Sequence, residues 1–84
     1  MRKLQEGSVV RATAGRDKGK LFVVVTMENE YVFIADGKTR KLSMPKRKNS
    51  KHIWPTDQIL LNGSATDKGL RKALSAIDTA ENQG

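Results

Sequence analysis

Between Gly7 and Val25 the chain reads GSVVRATAGRDKGKLFVVV, two β-branched apolar runs on either side of a basic loop that holds two glycines. Val9–Val10 and Leu21–Val25 are short and bounded by glycine. Their branched side chains are stiff in a helix and pack well on a pleated surface, so the stretch reads as strand, loop, strand. Gly15 and Gly19 permit positive φ, which lets residues 14–20 turn sharply and present backbone N–H groups. Arg16, Lys18 and Lys20 then stand at the tip of a rigid hairpin, where they suit a phosphate backbone.

The remaining segments extend this pattern. Strands are expected at about 7–13, 20–27 and 31–35, with Met27–Tyr31 as a turn in which Asn29 takes the left-handed conformation. Asp36-Gly37 predicts a type I′ hairpin leading into a fourth strand at about 38–44, where Leu42 and Met44 alternate with Arg40, Lys41 and Ser43. Pro45 ends that strand, because it has no N–H for the ladder. A basic loop at 46–52 follows, then a fifth strand at about 51–54 with Ile53 inward, a turn at Pro55–Asp57, an extended piece at Gln58–Leu61 and a break at Asn62-Gly63. About five short antiparallel strands in some 60 residues predict a mostly β chain closed into a small barrel. The period then changes. Leu70, Ala73, Leu74 and Ile77 form one helical stripe, which places a helix at about 65–79 against the barrel, with Ser64 as N-cap and Asp67 as its capping-box partner. Asp67 can also pair with Arg71 one turn on. The expected organisation is one domain over 1–84, barrel at about 7–62 and C-terminal helix after it.

Charge narrows the partner. The formal net charge is +7. Residues 1–63 hold 13 Lys/Arg against 6 Asp/Glu, and residues 64–84 hold 3 of each, so the whole excess falls on the β region. A localised basic field points to a polyanion. There is no cysteine and one histidine, so thiolate sites and multi-ligand metal sites are excluded, and the scattered acids read as turn residues. No catalytic constellation is present. The glycine loop is not a phosphate-binding P-loop: three residues, not four, separate Gly15 from Gly19, Lys20 is followed by Leu21, and a strand comes next. No apolar run is long enough for a membrane helix and no secretory leader is visible, which predicts a cytoplasmic, non-enzymatic protein without cofactor or small-molecule substrate.

The candidate RNA-binding residues form two clusters. One is the hairpin tip, with Arg16, Lys18 and Lys20. The other is Lys38, Arg40, Lys41, Lys46, Arg47, Lys48 and Lys51, seven cations accompanied by one acid, Asp36. His52 adjoins them, suited to hydrogen-bonding or stacking on a nucleotide. Aromatics are scarce. Phe22 and Phe33 are expected in the core, and Trp54 is expected over the seam between barrel and helix, base stacking being the alternative. So few aromatics argue against a single-strand stacking platform and for folded RNA read through backbone and shape.

The Gly7–Val25 stretch resembles the KOW motif, whose central glycine Gly15 matches. Such motifs occur on SH3-like β-barrels that bind RNA or protein partners. The likeness continues through Tyr31–Ala35, the basic run, Asn49–Thr56 and the helix start at Ser64–Leu74, and over about 7–78 the chain resembles the archaeal and eukaryotic large-subunit ribosomal proteins of the "fourteen-e" type. The resemblance implies an SH3-like barrel with a C-terminal helix beside it, and ribosomal RNA contacts from Arg16, Lys18, Lys46, Arg47, Lys48, Lys51 and His52. The implied role is RNA binding in association with the large ribosomal subunit, with ribosomal proteins as further partners. The alternative is a protein-interaction module docking on a ribosomal or transcription-machinery protein.

Overall fold

The structure is a computed structural model that describes residues 4–60 and 66–82. Five strands, β1 (Ser8–Ala12), β2 (Leu21–Glu28), β3 (Tyr31–Ala35), β4 (Lys46–Asn49) and β5 (Ile53–Ile59), precede one helix, α1 (Asp67–Asn82). A 3₁₀ turn at Ser50–His52 joins β4 to β5. The expected Ser64 cap, the Asn62-Gly63 break and Leu61 lie outside the described residues.

The chain is mostly β, with all strands antiparallel in one sheet ordered β4-β3-β2-β1-β5. β4 and β5 are the two edges of that sheet, yet only three residues separate them. So short a link brings the edges together, and the sheet curls into a small barrel. A register shift at Val24/Thr26 supplies a bend in β2.

Alternation along β1–β3 feeds two apolar layers. Val10, Ala12, Phe22, Val24, Val32, Ile34 and Ile53 fill the barrel, with Leu4 packed against them. Val9, Leu21, Val23 and Ala35 face outward and are covered by Leu70 and Leu74 of α1, with Ile77 at the margin. Burial on both faces explains why Leu21–Val25 is an unbroken apolar run. Phe33, expected inside, is only half-buried on the outer face.

The fourth strand is not at 38–44. Of the Asp36-Gly37 pair only Gly37 has positive φ, +80°, so no type I′ turn forms. Asp36 instead folds the segment onto itself: its Oδ1 accepts the N–H groups of Lys38 (2.9 Å) and Arg40 (2.8 Å), and the Arg40 carbonyl accepts those of Asp36 and Gly37. The Leu42 N–H is donated to Asp67 Oδ1 at 2.8 Å. Backbone donors committed in this way are lost to a ladder, and the edge of β3 is taken by the basic residues Lys46–Asn49. β5 is also longer than expected and runs through Pro55, which an edge strand tolerates because one of its sides has no ladder to complete.

Helix α1 is capped by Thr66, whose Oγ1 accepts the Gly69 N–H at 3.0 Å. Asp67 is therefore free to bind the 36–45 segment. Gly37 is the contact point: a Cβ there would overlap the Asp67 carbonyl oxygen.

Candidate nucleic-acid interface

The β1–β2 loop is rigid because its backbone groups are paired. Ala12 donates to the Lys20 carbonyl (3.0 Å), Gly19 to that of Ala12 (2.8 Å), Lys20 to that of Asp17 (2.9 Å) and Lys18 to that of Gly15 (3.2 Å). Gly15 and Gly19 sit at φ +79° and +88°, the conformations this path needs. Thr13 donates to the His52 carbonyl at 2.9 Å, which ties the loop to the 3₁₀ turn. The tip residues Arg16 and Lys18 are exposed, and Lys20 is mostly so.

β4 supplies the second half of the site, sorted by strand alternation. Lys46 and Lys48 pair with Ile34 and Val32, so they share the barrel's inward face and reach across its end to the loop. Lys46 Nζ lies 3.1 Å from Asp17 Oδ2, and Lys48 Nζ donates to the Ala14 carbonyl at 3.0 Å. Both ammonium groups are thus held by protein acceptors. Arg47, between them, points outward and lies over the Tyr31 ring, 4.8 Å from its centroid.

Asp17 is the residue that sequence reasoning passed over. It is 7% exposed and its carboxylate lies between Lys46 of β4 and Lys20 of the loop, the Lys20 Nζ being 3.9 Å away. Burial by itself pushes its carboxyl up. The Lys46 hydrogen bond and the fields of Lys46, Lys20 and Lys48 outweigh that and hold it below the ordinary value of 3.8. A lone acid in the middle of a cationic loop was the available signal.

The other candidates divide in two. Lys51 is exposed and His52 half-buried in the 3₁₀ turn, beside the start of the loop. Together with Arg16, Lys18, Lys46 and Lys48 they form one basic end of the barrel. Lys38 and Lys41 are exposed on the 36–45 segment, where Arg40 is half-buried with its Nε shielded from solvent. That segment is braced by α1 and forms a second basic region. Trp54 does not cover a seam: it is 63% exposed on β5, opposite Arg11. Among the described residues no three His, Asp or Glu side chains gather to hold a metal ion, and no helix is long and apolar enough to cross a membrane.

No protein-family profile matches the chain. Whole-chain comparison finds relatives. The chain is 38% identical over 77 residues to the large ribosomal subunit protein eL14 of Pyrobaculum calidifontis, an alignment covering 89% of this chain and 75% of that protein. It is 36% identical, with the same coverage, to the eL14 protein of Pyrobaculum arsenaticum. The aligned span is long enough to take in both the barrel and the helix that packs on it, and on that similarity the chain belongs to the eL14 family of large ribosomal subunit proteins.

Proposed function

We propose that this protein is a non-enzymatic component of the large ribosomal subunit that docks on ribosomal RNA through the basic end of its barrel. The observation that carries the reading is the convergence of two chain segments far apart in sequence. The β1–β2 loop and the β4–3₁₀ segment are bonded to each other through Lys46–Asp17, Lys48–Ala14 and Thr13–His52. Arg16, Lys18 and Lys51 project from that joined end. A rigid cluster of this kind meets phosphates without first being ordered, which suits folded RNA. The relatives' names supply the ribosomal setting.

Sedimentation of the tagged protein from source-cell lysate on sucrose gradients, at low and high salt, tests the ribosomal role. Co-migration with the large subunit that survives the salt wash is the expected result, and a protein that stays at the top at low salt refutes it. Binding to the source organism's large-subunit RNA transcribed in vitro tests the mechanism. If about 5 phosphates are neutralised, log K falls with log salt at a slope of roughly −3.5 to −4.5, and a flat dependence removes the electrostatic mechanism. A second reading, docking on a neighbouring protein, draws support from the exposure of Trp54 and of Ile59 on the same strand.

A further inference from the structure

The loop ends at Lys20, and a groove begins there. It has a volume of 360 Å³ and lies between the β1–β2 loop, the 36–39 turn and α1. Leu21 and Leu74 form its floor, and Lys20, Lys38, Thr39, Arg71 and Ser75 stand around it. Two acids also line it, Asp36 and Asp78, but both are engaged. Asp36 Oδ1 accepts two backbone N–H groups of its own turn, and Asp78 Oδ1 pairs with Arg11 at 3.4 Å. Three cations line the groove against these two carboxylates, and Lys20 also lies 3.9 Å from Asp17 Oδ1, outside the lining. Among the described residues, neither Lys38 nor Arg71 has a carboxylate partner.

We infer that this groove is a second phosphate-binding site, which takes the backbone of the same RNA after it leaves the basic end of the barrel. The inference rests on the RNA-binding reading above and extends the interface onto α1. An ammonium, a guanidinium and two hydroxyl donors around an open groove match phosphodiester oxygens, and the guanidinium fork offers two parallel donors. Lys20 links the two sites, because its backbone closes the loop while its side chain lines the groove. The charge of the helix is zero by count, so Arg71 has no prominence in the sequence. It gains a role because Gly37 seats the 36–45 segment on the helix's first turn and sets Lys38 across from it.

The test measures affinity and salt slope for the source organism's large-subunit RNA with the wild-type chain, Lys38→Ala, Arg71→Ala, the double variant, Arg71→Lys and, as a control on the same helix, Lys72→Ala. Lys38 and Arg71 are exposed, so thermal melts are expected to stay put. Each phosphate left without its cation reduces the salt slope by about 0.7–0.9, so the double variant is expected to lose about 1.5 of slope and roughly tenfold in affinity at 0.1 M salt. Arg71→Lys is expected to keep most of the slope and Lys72→Ala all of it. A double variant that binds like wild type overturns the groove. So does Lys72→Ala falling as far as Arg71→Ala, since that marks a diffuse field. If the wild-type chain itself does not bind, the RNA-binding reading fails before the groove is reached. Titration of inorganic phosphate is a further arm: stabilisation by the free ion with RNA binding untouched in the double variant also overturns it.

Discussion

Asp17→Ala separates two accounts of the basic end by the sign of its effect. If the site is only a field of positive charge, removing an acid strengthens it. For a phosphate on the order of 8 Å away in water-like dielectric, the lost repulsion is roughly 0.5 kcal/mol, about a twofold gain in affinity. If Asp17 holds the loop, removing it weakens binding. The Asp17 side chain is 10% exposed and its Oδ2 lies 3.1 Å from Lys46 Nζ, while the Lys46 side chain is 32% exposed and can return to water. A hydrogen bond between charged groups contributes about 1.5–3 kcal/mol, and partial exposure of the lysine cuts that to about 1–2 kcal/mol. A domain of this size then melts roughly 4–16 °C lower. Binding must re-order the loop that carries Arg16 and Lys18, and fixing even one backbone residue costs about 1–2 kcal/mol, so a loss of at least about fivefold is expected. Fluorescence anisotropy with labelled large-subunit RNA reads affinity, and a thermal melt reads stability. An Asp17→Ala chain that is folded and binds as tightly as wild type, or more tightly, refutes the latch.

The same residue makes the pH dependence explicit. The folded carboxyl titrates below its ordinary value, so its contribution to stability is complete above the unfolded value of about 3.9 and is lost as pH falls through the lower, folded one. Wild type minus Asp17→Asn stability should therefore be flat from pH 7 to about pH 5 and shrink below pH 4. A difference that stays unchanged as pH falls well below 4 would mean that the charged carboxylate is not its source.

Three further outcomes are expected. Gly37→Ala combines a positive φ with a collision against the Asp67 carbonyl, and should cost more than about 2 kcal/mol in a denaturant melt, with loss of the helix's far-UV signal before the barrel's. Leu74→Ala empties a position 5% exposed beneath the helix and should cost about 2–4 kcal/mol; a melt that does not move would detach α1 from the barrel. Trp54, the one tryptophan, should emit as a solvent-exposed indole, and Trp54→Ala should change stability by less than about 0.5 kcal/mol, whereas a drop of several degrees would place it in packing.

What the sequence made legible was whatever period and turn chemistry control. The β-branched runs formed strands, the stripe Leu70–Leu74–Ile77 packed, and Asn29 took φ +55°. The 38–44 segment departs from its pattern because the alternation there is real but weaker than two competitors invisible in one dimension. Asp36 can cap its own turn, and Asp67, 25 positions beyond Leu42 in the chain, offers its carboxylate to the Leu42 N–H. A polar run with the poorer pattern, Lys46–Asn49, then became the edge strand. The same shift decides what the cations do. In a loop, Lys46, Arg47 and Lys48 are equivalent charges. On a strand they alternate, so the first and third turn inward to hold the glycine loop while the second lies outward over Tyr31. Charge counting locates a basic region, but only the backbone's two-residue period tells which of its members turn outward and which fix the shape of the glycine loop.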